Sequence, residues 1–298
     1  MTDDRNLTAT ARYSISELTL PDTSFREDVD LISGSLATGI GLWEEKLAGL
    51  DAADAISMLA GAGLTATLCF PRTWSIFPNA RMMIPADPEQ RVVLICESVS
   101  RLAPFHPVGI VVTPGTAPDG AVEEARDVMI RNLRTVARHA ADLGTTIALE
   151  PIRQMNGGFI SSFADALRYR DEVGEPSLQI MLDVWHIWDE PSIGSLIQAN
   201  VDALVGVQLN DWREPTRRSD DRVLPGDGVA GVAKLLAALV NSGYQGWYDL
   251  EIMSALELPD SLWRLPPREL LSRADERFRH VWEQAQAMAS GRTALSDR

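Results

Sequence analysis

Short apolar, β-branched runs alternate with longer amphipathic stretches along the chain. The short runs fall at 12–18, 37–43, 65–70, 107–113, 145–150, 178–183, 203–209 and 246–251, and each predicts a strand. Between them the periodicity predicts helices over 24–33, 52–61, 88–102, 122–143, 163–173, 193–198 and 232–241, with a long last helix from 267 onward. In 122–143, Val128, Leu133, Val136, Ala140 and Leu143 form one apolar stripe, while Glu123, Glu124, Arg131 and Arg138 lie off it. Gly144 then stands where a C-terminal cap belongs, and Thr145 opens the next strand.

Strict alternation of strand and helix requires parallel strands joined by crossovers. Eight such units predict an α/β fold, a single (β/α)8 TIM barrel with an extended C-terminal helix. An open sheet would place a Gly-rich phosphate turn after the first strand. Leu18-Thr19-Leu20-Pro21-Asp22 stands there instead, and Gly39-Ile40-Gly41 lies inside a predicted strand. No Gly-, Ser- or Pro-rich linker divides the chain, so one domain over 1–298 is expected, with short disordered tails at about 1–8 and 290–298.

The chain has 298 residues, 45% of them hydrophobic, enough to bury a sizeable core. Its 27 Lys and Arg against 42 Asp and Glu give a net charge of −15. Such a surface repels phosphate backbones, so no nucleic acid partner is expected. Cys69 and Cys96 provide neither a disulfide framework nor metal-ligand spacing, which fits a reducing compartment. The start, Met1-Thr2-Asp3-Asp4-Arg5, has no apolar segment behind it, and no apolar run approaches the ~18 residues that cross a bilayer. No membrane association and a cytoplasmic location are therefore expected. Oligomeric state is left open, a homo-oligomer included.

In such a barrel, chemistry gathers where strands end. The fifth strand ends at Glu150, the sixth at Asp183 with His186 just beyond, the seventh carries Gln208, and the eighth ends at Glu251. Three carboxylates and an amide thus converge on one mouth, and a divalent cation would relieve their mutual repulsion. Each residue also has a plainer reading. Glu150 and Glu251 could be strand-end ion-pair partners, Asp183 a helix cap, Gln208 a sheet-edge amide and His186 a structural histidine.

Leu149-Glu150-Pro151, Leu182-Asp183-Val184-Trp185-His186, Val207-Gln208-Leu209-Asn210-Asp211, Asp221-Arg222-Val223-Leu224-Pro225-Gly226-Asp227-Gly228 and Leu250-Glu251-Ile252 together resemble the xylose isomerase-like TIM barrel superfamily, the sugar phosphate isomerase/epimerase group. The resemblance implies a divalent metal on Glu150, Asp183, Gln208 and Glu251, with substrate contacts from His186 and Arg222. Many members carry histidine where Gln208 stands; some dehydroshikimate dehydratases of the superfamily use glutamine. Three carboxylates and an amide oxygen are hard ligands, favouring Mn2+ or Mg2+ over Zn2+. The endonuclease IV-type branch does not fit. It carries histidine after the arginine, where this chain has Val223, and needs zinc-binding histidines on earlier strands, yet the four here are His106, His139, His186 and His280.

Glutamates beside a metal suit removal of a proton next to a carbonyl. The resemblance makes Glu150 and Glu251 paired catalytic acid and base, and the expected function is metal-dependent isomerisation or epimerisation of a sugar or sugar-like keto compound. The alternatives are a dehydratase of the dehydroshikimate or inosose type and a ligand-binding barrel without catalysis. Trp43, Trp74, Trp185, Trp188 and Trp212 are predicted at or beyond strand ends, where aromatic faces suit a sugar or polyol, or else simply cover the mouth. Of these, Trp43, Trp185 and Trp212 are taken as substrate contacts. The connection from Pro71 to Arg81 is long enough to form a lid. Trp263 and Trp282 are expected to pack the last helix on the barrel or on a second subunit.

Overall fold

Every predicted strand run contributes to one closed parallel sheet. The computed structural model describes residues 11–117, 120 and 122–291. The strands are β1 (Arg12–Ser16), β2 (Gly39–Gly41), β3 in two pieces (Thr65–Ala66 and Leu68–Cys69), β4 (Gly109–Val112), β5 (Ile147–Leu149), β6 (Leu178–Asp183), β7 (Leu204–Leu209) and β8 (Trp247–Leu250). β1 pairs with β8 on one side, Tyr13 beside Tyr248, and with β2 on the other, Ser14 beside Gly39. The first piece of β3 pairs with β2 and the second with β4, so the ring closes through that strand. The helices are α1 (Phe25–Ser33), α2 (Ala52–Ala62), α3 (Pro88–Leu102), α4 (Val122–Asp142), α5 (Phe163–Val173), α6 (Val184–Ile187), α7 (Ile193–Asn200), α8 (Val232–Asn241) and α9 (Pro267–Ala289). The expected tails lie outside the described residues, apart from Ser290 and Gly291 at the end of α9. Among the described residues no helix is long and apolar enough to cross a membrane.

Local chemistry sets the boundaries. Ser24 and Glu27 form a reciprocal capping box that starts α1. Gly144, at φ +66°, ends α4 as expected, a backbone conformation that glycine adopts without strain. The first strand is shorter than its apolar run, because the Ser16 side chain accepts the Leu18 N–H and turns Glu17–Thr19 into a 3-10 helix.

The barrel interior is apolar where Leu68, Phe70, Val111, Ala148 and Met181 meet, and polar on the opposite wall. There Asp249 accepts a hydrogen bond from Ser14 Oγ at 2.6 Å. Gly41 makes room for it: a Cβ at that position would stand 2.9 Å from the Leu68 carbonyl and 3.1 Å from Asp249 Oδ2. Outside, Tyr13 stacks on Phe278 with ring centroids 4.0 Å apart, and Tyr248 packs on Trp282 at 5.2 Å, so α9 covers the β1–β8 seam.

Asp275 on α9 accepts the Leu36 N–H at 3.0 Å, while burial pushes its carboxyl up to about 6. An unfolded aspartate titrates near about 3.9, so the native state holds the extra proton between these values and stability falls as pH rises through that window. Asp275→Asn keeps the acceptor and removes the charge. It is expected to raise stability by about 1–3 kcal/mol at pH 8 and hardly at all at pH 4. Thermal melts at the two pH values check this; equal effects at both would contradict it.

Candidate active site

Asp183 ends β6 and at once caps α6: its Oδ1 accepts the Trp185 N–H at 2.9 Å and the Asn210 Nδ2–H at 2.7 Å. The capping role and the site role therefore fall on different oxygens. Oδ2 is buried without an aligned donor, although Arg222 Nη1 lies 2.9 Å away. Gln208 is fully buried inside the closed barrel, not at a sheet edge. Its Nε2 donates to Glu251 Oε1 at 3.2 Å, and its Oε1 has no hydrogen-bond partner among the described residues. Glu251 is paired, as Arg222 Nη1 donates to its Oε2. Glu150 is different: its nearest cation-capable neighbour is His186 Nε2 at 3.8 Å from Oε1, and the same Nε2 is 3.8 Å from Asp183 Oδ2. Ligand atoms of Glu150, Asp183 and His186 all lie within 4.8 Å of one another.

The structure thus brings Glu150, Asp183, Gln208, Glu251, His186 and Arg222 into one buried cluster. Burial, together with the charges of Asp183 and Glu251, pushes the Glu150 carboxyl well above the usual range. Burial also raises Glu251, Arg222 opposing and Asp183 adding to it. Burial pulls on Arg222 in the other direction, but the surrounding carboxylates hold its affinity for the proton above the ordinary value. Burial drives the His186 imidazole down to about 3, so the ring is neutral. Its Nδ1 accepts the Arg153 N–H at 3.2 Å, which leaves the ring proton on Nε2, facing the carboxylates. A metal-binding imidazole usually donates from its other nitrogen; here that nitrogen accepts. His186 is therefore set up as a hydrogen-bond donor more than as a ligand.

Three carboxylates against one guanidinium leave two negative charges in a buried space if all are ionised. That charge matches one divalent cation, and Gln208 Oε1, without a hydrogen-bond partner among the described residues, and Asp183 Oδ2, beside Arg222, are oxygen acceptors suited to it. The residues present fit a hard metal ion.

Above the cluster opens a cavity of about 590 Å3, whose wall includes Glu150, His186, Arg222 and Glu251. Residues 45–277 match the family described as xylose isomerase-like TIM barrel. The chain belongs to this family. As a xylose isomerase-like TIM barrel it is similar to D-psicose 3-epimerase of Enterocloster bolteae, 26% identical over 118 residues, 39% of this chain and 36% of that protein. It is also similar to 3-dehydro-D-guloside 4-epimerase of Escherichia coli (strain K12), 28% identical over 152 residues, 51% of this chain and 55% of that one. The chain thus spans about half or less of the curated relatives it matches. The crystal structure of protein SMc04130 from Sinorhizobium meliloti 1021 superposes with a TM-score of 0.80 at 25% identity, covering 91% of this chain and 98% of that one.

Of the tryptophans expected at the substrate, this xylose isomerase-like barrel places only Trp43 on the cavity wall. Trp185 and Trp212 stand away from that wall, buried and packed on each other at 4.5 Å, with the Arg153 guanidinium 4.6 Å over the Trp212 ring. The reason is the single-turn helix α6: Asp183 caps it, and Trp185 turns into the packing behind the site. Trp74 and Trp263 line the cavity instead. The long loop after β3 is fastened from beneath by the buried Arg91, which donates to the Ser75 carbonyl and Oγ, both at 2.7 Å. Asn210 was not assigned a role from sequence, yet it holds Asp183 Oδ1. Its two-residue spacing from Gln208 on an extended segment is the signal that places both on one face. The turn Pro225–Gly228 is organised by Asp211, which accepts the Gly226 and Ala230 N–H groups at 2.8 and 2.9 Å.

Proposed function

We propose that this chain is a divalent-metal-dependent epimerase or isomerase of a sugar or sugar-like keto compound. The observation that carries the reading is the cluster itself: three buried carboxylates around one guanidinium, with Gln208 Oε1 beside them lacking a hydrogen-bond partner among the described residues. The names of the curated relatives, both sugar epimerases, support the substrate class. Glu150, Asp183, Gln208 and Glu251 would hold the ion. An all-oxygen set favours Mn2+ or Mg2+ over Zn2+. When bound, the ion supplies positive charge that stabilises the negative charge developing beside a carbonyl.

The chain's own groups move the proton. Glu150 faces the cavity with no Lys or Arg in ion-pair contact among the described residues, and takes the carbon-bound proton. Glu251, held by Arg222 and Gln208, returns a proton to the opposite face in epimerisation or to the neighbouring carbon in isomerisation. His186 donates its Nε2–H to a substrate oxygen, and Arg222 reaches the same cavity as a fixed planar donor.

The test is incubation of the Mn2+-loaded protein with a panel of ketoses, D-fructose among them, and 3-keto-glucose in D2O. Deuterium entering the carbon next to the carbonyl, with formation of the epimer or isomer, is expected by NMR. No exchange on any of them, or a conjugated product absorbing in the ultraviolet, would contradict the reading.

A further inference from the structure

The cavity above the carboxylates is larger and less polar than a free sugar requires. At water's share of about 30 Å3 per molecule, its 590 Å3 corresponds to roughly twenty waters, whereas a hexose brings about twelve non-hydrogen atoms, bonded and hence more tightly packed. Its chemistry is graded. Glu150, Glu251, His186 and Arg222 gather at the floor, and most of the wall above them is apolar: Leu18, Trp43, Trp74, Met155, Met253 and Trp263.

Trp263 is held in place and is not a loose surface ring. Its Nε1 donates to the Ile252 carbonyl at 3.0 Å, and its backbone N–H is taken by Ser261 Oγ at 3.2 Å, so one edge is spent and the aromatic body faces the cavity. Trp43 is fastened similarly through its backbone N–H, which donates to the fully buried Glu17 Oε2 at 2.7 Å. Met155 lines the same cavity at its rim and is 61% exposed, so its side chain is open to a bound group. Asn79, Arg81, Asn156, Arg218 and Ser219 also reach this wall, so a polar group would find hydrogen-bond partners there, but the apolar surface facing the cavity is the larger share. An apolar group needs only the contact surface that is there.

We infer that the natural substrate is a keto sugar joined to an apolar, aryl-type aglycone: the sugar sits on the carboxylate floor and the aglycone lies against Trp43, Trp263 and Met155. The inference rests on the proposed sugar chemistry of the same site and names its substrate class. Trp263 and Met155 would then be specificity determinants that touch the part of the substrate that does not react.

Binding and turnover separate the two ideas. Titration of the wild-type protein with phenyl β-D-glucopyranoside, cellobiose and D-glucose, read by calorimetry, is expected to give the phenyl glycoside an affinity about ten-fold or more above either sugar, since even one methylene in an apolar pocket is worth about that factor. Trp263→Ala should bring the ratio of phenyl glycoside to glucose affinity close to one. Met155→Ala, at an exposed position where folding is not at issue, should lower the same ratio. Equal affinities for all three ligands, or cellobiose binding best, would overturn the aglycone assignment. Deuterium exchange on phenyl 3-keto-β-D-glucoside and on free 3-keto-glucose completes the test. Exchange on both with no preference in kcat/KM overturns the aglycone assignment alone. Exchange on neither overturns the reading on which it rests. Preferred exchange on the phenyl compound supports both.

Discussion

Glu251→Gln is expected to lower the rate of deuterium exchange at the substrate carbon by about 10²–10⁴-fold, the usual contribution of a positioned acid or base. The substitution is nearly isosteric. A glutamine at this position keeps one acceptor oxygen for the Arg222 donor, and its NH2 can meet Gln208 once the Gln208 amide turns over to present Oε1, so the two contacts that hold Glu251 in the native cluster are both replaceable. What it removes is the carboxylate charge, which burial already disfavours. The melting temperature of the metal-free protein should therefore stay within a few degrees of wild type, while affinity for Mn2+ falls. Exchange at the wild-type rate would remove Glu251 from the chemistry. Loss of exchange accompanied by unfolding would point to a structural role, and Glu150→Gln, at a carboxylate in ion-pair contact with no Lys or Arg among the described residues, then separates the two.

Arg222→Met should have the largest effect on stability. Its guanidinium is the only cationic group among the described residues in direct ion-pair contact with Asp183 and Glu251, and both carboxylates are buried. Removing one partner of a buried pair typically costs about 3–5 kcal/mol, because the remaining charge is left without solvent or counter-charge. The pH dependence has a definite sign. Glu150 and Glu251 bind protons more tightly in the folded state than in the unfolded one, so acidification neutralises them and relieves the penalty. Urea denaturation of the metal-free variant should show a loss of about 3 kcal/mol or more at pH 8, shrinking toward pH 5. Mn2+ should restore part of that loss at pH 8 by binding the folded state alone. A loss independent of pH, or none at all, would mean that the carboxylates are not held as charges.

The barrel was legible because its strands are buried on both faces and read as apolar runs. The run at 178–183 becomes β6 residue for residue, and 203–209 becomes β7 with one residue trimmed. The carboxylate cluster was legible for the same reason, since a charged residue at the end of a buried run stands out. What sequence could not resolve is direction. Trp43 and Trp185 occupy equivalent places just beyond strands, yet only Trp43 faces the cavity, because the cap on Asp183 turns the chain between strand and ring. Trp263 was expected to pack the last helix, but it lies in the connection after β8 and reaches the cavity wall, because tertiary folding returns that connection over the mouth. His186 was read as a substrate contact from the resemblance. The hydrogen bond that fixes its tautomer comes from the Arg153 backbone, thirty-three residues away in sequence, where no spacing rule applies.

The most direct measurement is titration of the chelator-treated protein with Mn2+, followed by electron paramagnetic resonance. Wild type is expected to take up one Mn2+ per chain, read as loss of the sharp signal of the free aqua ion, and Glu150→Gln and Gln208→Ala are expected to bind it markedly more weakly. Wild-type protein that leaves Mn2+ free in solution even at millimolar concentration, while still catalysing deuterium exchange, would contradict the assignment of this cluster as a metal centre.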